Sequence, residues 1–183
     1  MAPFGPFGYE KAMDIVAFRS HAPRAVPIAI LAASAGALGF AYVAETVFGL
    51  EPCVLCLYQR VPYAATGIVA VLMLGLPTNA PVARWGVAVC LALYLAGAAI
   101  AFYHVGVERH WWVSVAACGG ADARAVTIES LNAQLSIQFD KPCDQVDWTL
   151  FGISMAGYNV ALSAFLGAAA LWVLRLLNER PAP

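Results

Sequence analysis

Four stretches of this chain are too long and too uniformly apolar for the core of a water-soluble domain: Ala25 to Phe48, Leu57 to Leu76, Val82 to His104 and Leu150 to Leu177. About 20 helical residues cross a hydrocarbon core about 30 Å thick, and each stretch meets or nearly meets that length. Lipid offers backbone N–H and C=O groups no partners, so spans of this length fold as helices. Composition agrees. With 62% hydrophobic residues, 11% charged residues and a mean hydropathy of +0.74, the chain departs far from the roughly 25% charged content of soluble domains. The expected fold class is an all-α membrane protein, a four-transmembrane-helix bundle. Small residues such as Ala35, Gly39, Gly97, Gly157 and Gly167 let its helices approach closely.

An even number of spans puts both termini on one side and the loops after the first and third spans on the other. The first side carries Lys11, Arg19, Arg24, Arg84, Arg175 and Arg180, six basic residues, against Arg60, Arg109, Arg124 and Lys141, four, on the second. The positive-inside rule then assigns the termini to the cytoplasm. The expected organisation is a cytoplasmic tail over 1–24, a transmembrane unit over 25–177 with outer loops at about 49–56 and 105–149, and a cytoplasmic tail over 178–183. Met1 to Arg24 lacks the compact apolar core and cleavage site of a secretory signal and reads as a retained tail, with a short interfacial helix expected over Lys11 to Arg19. In the second outer loop Ile128, Leu131 and Leu135 recur at i, i+3 and i+7, the pattern of one helix face. A short amphipathic helix is therefore expected between Ala125 and Phe139, lying on the bilayer or on the ends of the bundle. A net charge of −1 and a pI near 6.3 give no basic footprint, which argues against nucleic acid as a partner.

Chemistry concentrates in the first outer loop, at Glu51-Pro52-Cys53-Val54-Leu55-Cys56-Leu57-Tyr58-Gln59-Arg60. Two cysteines at this spacing close a small disulfide or supply two ligands to zinc. Cys118 and Cys143 are too far apart in the sequence to repeat the CxxC of a zinc ribbon, which favours the disulfide. If the chain turns helical near Leu57, Cys56 lies at a helix N-terminus, where unpaired N–H groups and the macrodipole favour a thiolate. Arg60, four residues on, would add a fixed positive charge on the same face. Pro62 opposes that geometry, because proline suits a helix's first turn, and a regular helix could instead begin nearer Arg60. Arg60 is alternatively a snorkelling interfacial anchor. His104, at the outer end of the third span, is either an interfacial histidine or a proton-relay or ligand-binding group, as ionisable residues at membrane depth often are. Cys90 falls mid-span and reads as a small hydrophobe. Glu45 and Glu108 read as interfacial, and Ser154 and Asn159 as cross-helix hydrogen-bonding groups. Metal delivery through four thiolates and a purely structural stapled bundle stay open as alternatives.

The order of these elements resembles the disulfide bond formation protein B (DsbB) family, quinone-dependent inner-membrane thiol oxidases. The resemblance covers roughly Ala25 to Leu177: four spans, Pro52-Cys53-Val54-Leu55-Cys56 followed by Arg60, Tyr103-His104 closing the third span, and Cys118 with Cys143 in the second outer loop. The resemblance implies that Cys118, paired with Cys143, is attacked by the thiolate of a periplasmic DsbA-like thioredoxin-fold oxidase. Electrons then pass by exchange to the Cys53–Cys56 pair. It further implies that Cys56 faces the ring of ubiquinone or menaquinone from the membrane quinone pool, that Arg60 holds the quinone and stabilises the Cys56 thiolate, and that His104 lines the same pocket. The implied location is the bacterial inner membrane, multi-pass in the lipid bilayer, with the cysteine loops facing the periplasm.

Overall fold

The computed structural model describes residues 6–76, 80–112, 142–146 and 148–179. The chain forms α1 (Pro6–Thr46), α2 (Val54–Gly75), α3 (Ala80–Glu108), a hairpin of β1 (Thr149–Leu150) and β2 (Ile153–Ser154), and α4 (Met155–Asn178). Among the described residues four helical stretches are long and apolar enough to cross a membrane: Arg24–Thr46, Val54–Gly75, Pro81–Glu108 and Met155–Asn178. The fold is the expected four-helix membrane bundle. Cys118 and the amphipathic helix expected between Ala125 and Phe139 lie outside the described residues.

Element boundaries differ from the sequence expectation in four places. α3 runs on to Glu108, past the His104 at which the third span is expected to close and into the expected loop over 105–149. α1 is continuous from Pro6, so the helix expected over Lys11 to Arg19 is its opening part and not a separate element. α2 begins at Val54, not near Leu57 or Arg60, and carries Pro62 in its interior. A proline there removes one intrahelical hydrogen bond and crowds the preceding turn. The neighbouring helix accommodates it: a Cβ on Gly97 of α3 would lie 3.3 Å from Pro62 Cβ, so the missing side chain makes room for the ring. α4 begins at Met155, not Leu150. Phe151 and Gly152 both take positive φ, 52° and 76°, as a two-residue hairpin turn of the mirror-image type demands. The turn pairs Thr149 with Ser154 and Leu150 with Ile153. Ser154 then caps α4 by accepting from Gly157 N at 3.2 Å.

The outer end of α3 is closed with equal definition. His110 holds φ 57°, His110 N donates to Val107 O at 3.0 Å, and Trp111 N donates to Gly106 O at 2.8 Å. These bonds form a Schellman motif with histidine in the left-handed position. Trp112 folds back to stack on Tyr103 with ring centroids 5.7 Å apart, and its Nε1 donates to Tyr103 O at 2.9 Å.

α2 lies between α1 and α3, and α3 packs along α4. The core is built from Tyr63, Val87, Cys90, Tyr94 and Ala170, and Cys90 is fully buried there as the small hydrophobe expected. Gly167 packs against Tyr94 and Leu95, and a buried Ser34–Thr66 hydrogen bond of 2.9 Å ties α1 to α2. Large apolar side chains such as Ile68, Trp85, Phe165 and Trp172 point outward, where lipid is their solvent. Gly36 and Gly39 on α1 meet no neighbouring atoms. Close approach expected at Gly39 is therefore not found, whereas Gly36 lines a space between α1 and α4.

Candidate functional site

Cys53 is the N-cap of α2, with φ −75° and ψ 170° and no side-chain cap bond of its own. Its Sγ is thereby released from capping. Cys56, three residues on in the first turn, lies where α2 presents its unpaired N–H groups. The two sulfurs are 3.4 Å apart with Cys53 donating to Cys56, beyond the roughly 2.05 Å of a disulfide and close enough to form one with a small rotation.

Two distant segments converge on this turn. Cys143, entering from the second outer loop, and His104, from the last turns of α3, bring Sγ and a ring nitrogen to Cys53 Sγ, with all three atoms within 4.8 Å of one another. All three residues are buried, and Leu55 and Val107 pack around the two cysteines. Electrostatics follow from that enclosure. The hydrogen bond donated to Cys56, with burial second, pushes the Cys53 thiol from an ordinary 9.0 up to about 11. Burial first, then the adjoining Cys53, pushes the Cys143 thiol up to about 11 as well. Both sulfurs are protonated at neutral pH.

His104 is oriented by a chain of side chains crossing three helices. Tyr63 Oη donates to Asn159 Oδ1 at 2.6 Å, and Asn159 Nδ2 donates to Gln59 Oε1. Gln59 therefore presents Nε2 to His104 Nδ1 at 2.6 Å. With Nδ1 accepting, Nε2 carries the ring proton and directs it at Cys53 Sγ, 3.6 Å away. Ser163 extends the far end through Tyr63 at 2.9 Å. On the other side Glu108 lies 3.9 Å from His104 Nε2 and accepts from Ser154 Oγ, which also caps α4.

Arg60 follows Cys56 on α2, and its Nη1 pairs with Glu45 Oε2 of α1 at 2.8 Å. Both side chains are partly exposed, at 28% and 39%, and such a pair is worth only about 0–1 kcal/mol, so it holds Arg60 loosely.

These groups form one end of a cavity of about 640 Å³ between α1 and α4. Its polar end holds Cys53, Cys56, Gln59, Arg60, His104 and Glu108. Its long walls are apolar, with Gly36, Ala37 and Phe40 from α1 facing Leu162 from α4. An apolar lining with polar groups at one end suits an amphipathic small molecule.

The structure thus brings together Cys53, Cys56, Cys143, His104 and Arg60; Cys118 lies outside the described residues. Sequence reasoning passed over Gln59 and set Glu108 aside as interfacial. Gln59 was findable: it is three residues after Cys56, on the same face of α2. Glu108 gave a weaker signal, four residues after His104 on α3. Asn159 was expected to bond across helices and does so.

A family described as Disulfide bond formation protein DsbB matches residues 23–173. Proteins named Disulfide bond formation protein B resemble the chain over most of its length. That of Acinetobacter baumannii is 32% identical over 155 residues, covering 79% of this chain and 86% of the relative. That of Methylobacillus flagellatus is 30% identical over 152 residues, covering 81% and 89%. That of Polaromonas naphthalenivorans is 30% identical over 164 residues, covering 87% and 96%. No solved structure gives a significant match.

Proposed function

This chain belongs to the DsbB family of disulfide bond formation proteins, and on that premise we propose that it is a membrane thiol:quinone oxidoreductase. Its electron donor is the dithiol of a periplasmic DsbA-like thioredoxin-fold oxidase, and its acceptor is ubiquinone or menaquinone. The unit over 25–177 is embedded in a bacterial inner membrane with both tails cytoplasmic and the cysteine loops periplasmic, an orientation supported by the six-to-four basic asymmetry.

The observation that carries this reading is the meeting of Cys143 with Cys53 and His104 at the polar end of an apolar cavity. In the proposed sequence a partner thiolate attacks Cys118 of a Cys118–Cys143 disulfide, forming a mixed disulfide and releasing Cys143. The partner's second thiol then resolves the mixed disulfide and leaves oxidised. Cys143 attacks Cys53 of a Cys53–Cys56 disulfide, and Cys56 leaves as the thiolate. Attack of Cys118 on Cys143 of the resulting inter-loop bond restores the outer disulfide and leaves Cys53 and Cys56 as thiols. A bound quinone supplies the two-electron, two-proton sink that lets this pair close again. A DsbA-type partner is itself a strong oxidant at about −120 mV, which is why a lipid-soluble acceptor is needed.

Each residue's role follows from its placement. The α2 N-terminus stabilises charge on Cys56 as the leaving group. His104 donates from Nε2 toward Cys53 Sγ, offsetting part of the cost of charge on a buried sulfur. Arg60, loosely held by Glu45, lends its charge to the cavity's polar end.

The test is quinone consumption by the purified protein mixed with a soluble quinone analogue and a reduced periplasmic dithiol protein. Consumption that requires the dithiol and each of Cys53, Cys56, Cys118 and Cys143 supports the relay. Consumption that survives Cys143→Ser refutes it.

A further inference from the structure

Cys53 Sγ, Cys143 Sγ and a ring nitrogen of His104 lie within 4.8 Å of one another, all on buried residues and each from a different segment. Electron exchange requires the sulfurs to meet. The imidazole that supports this exchange also stands at a ligand's distance from both sulfurs. In tetrahedral zinc sites, with Zn–S of about 2.3 Å and Zn–N of about 2.0–2.1 Å, a thiolate and an imidazole nitrogen are separated by about 3.5 Å and two thiolates by about 3.8 Å. Cys53 Sγ and His104 Nε2 are 3.6 Å apart, already at the first spacing. Cys56 Sγ, although 3.4 Å from Cys53 Sγ, stands outside this three-atom cluster.

We propose that the reduced protein binds one zinc ion through Cys53, Cys143 and the Nε2 of His104, with a water molecule in the fourth position. The ion replaces the thiol protons, which are released to solvent, and no electrons move. A sulfur committed to a disulfide cannot be a thiolate ligand, so the site exists only after electrons have arrived from the donor, and in that respect the inference rests on the proposed relay. Bound zinc ties up the thiolates that must pass electrons on. It therefore holds the relay in its reduced state until the metal is withdrawn.

The hydrogen-bond chain behind His104 is suited to this exchange. Metal at Nε2 leaves the ring proton on Nδ1, so Gln59 must turn its amide to accept there with Oε1. Asn159 must then turn with it. The chain ends in the hydroxyls of Tyr63 and Ser163, which donate or accept equally well, so the reversed chain has as many hydrogen bonds as the observed one.

The experiment uses the full-length protein in detergent, reduced without oxygen, freed of reductant and titrated with Zn²⁺ against a chromophoric chelator. Co²⁺ serves as the spectroscopic probe of tetrahedral thiolate coordination. The expected result is one metal per chain with proton release, no uptake by the oxidised protein, and at least about 100-fold weaker binding in Cys143→Ser and in His104→Ala. Gln59→Leu, which leaves the ligands in place, is expected to weaken binding about 10–100-fold, as loss of an outer-shell partner does. Substoichiometric uptake, a cobalt spectrum without thiolate charge-transfer bands, or full affinity in Cys143→Ser would overturn the proposal. A metal-free protein that reduces quinone but takes up no zinc sinks this inference and leaves the relay standing. Uptake at these residues by a protein that never reduces quinone does the reverse.

Discussion

Replacing His104 with alanine isolates the contribution of one hydrogen bond to the exchange chemistry. In the structure Nε2 faces Cys53 Sγ at 3.6 Å, and Cys53 is a thiol that its neighbours push up to about 11. Any step that places negative charge on this sulfur gains a charge-assisted hydrogen bond worth about 1.5–3 kcal/mol. At about 1.36 kcal/mol per decade, His104→Ala is expected to slow quinone reduction by about 10-fold to about 150-fold, with the long contact favouring the lower end. A structural role alone would also lower activity, so the pH profile is the deciding readout. If charge on Cys53 limits the rate, both proteins gain about tenfold per pH unit, and the wild type levels off at about 11. The variant, lacking the His104 bond that lowers the Cys53 thiol, levels off at higher pH so that its deficit narrows there, whereas a structural loss keeps one deficit at every pH. His104→Gln, which keeps a donor in reach, should recover part of the loss. The assay is stopped-flow quinone absorbance with a reduced dithiol donor in excess, beside thermal unfolding of each variant in the same detergent. Wild-type rates within threefold at every pH in His104→Ala would refute the assignment, as would a flat profile in both proteins.

Four further outcomes are expected. In the reduced protein, peptide-resolved alkylation of Cys53 and Cys143 should rise with pH to an inflection near 11, not near 9.0, because burial and thiol–thiol bonding favour the protonated form; inflections near 9.0 would contradict the enclosure. Gln59→Leu should lower stability by about 1–3 kcal/mol in chemical or thermal unfolding, since it leaves His104 Nδ1 and the Asn159 amide without their partner; an unchanged midpoint would show that the chain contributes nothing. Gly97→Val should cost about 1–3 kcal/mol, because even a Cβ there lies 3.3 Å from Pro62 and 3.4 Å from Ser163 Oγ; a stability equal to wild type would mean that α2 and α3 part easily. Arg60→Gln should raise the quinone KM about tenfold, the loss of one charge-assisted hydrogen bond, and an unchanged KM would confine Arg60 to its pair with Glu45.

What the sequence discloses and what it hides divide along physical lines. Span number and type are legible because the requirement is collective: about 20 apolar residues must satisfy their own backbone, and no single neighbour alters that. The CxxC was equally plain, since two sulfurs at that spacing and an arginine four residues later mark a thiol site whatever the packing. Helix starts were less legible. The proline at 62 argued for a late start to α2, and what overrides it is Gly97 on another helix, a contact that no local pattern contains. The start of α4 turned on Phe151 in a positive-φ position, where a bulky aromatic is the last residue a turn signal would suggest.

The site itself was half legible for a related reason. Sulfur identities are written in the chain, but their partners are decided by three-dimensional convergence. Arg60 is expected beside Cys56 from its spacing and lines the same cavity, while its guanidinium also reaches Glu45 on another helix, because an arginine side chain spans the gap between neighbouring helices. Gln59, neutral and unremarked, does what a charge could not do as well in a buried setting. It passes hydrogen-bond direction from Asn159 to His104 without bringing a net charge that burial would penalise. A chain of neutral amides ending in hydroxyls can hold either histidine tautomer, depending on which way its amides point. That freedom lets one imidazole serve as a donor to a thiolate during exchange and as a ligand when a metal arrives.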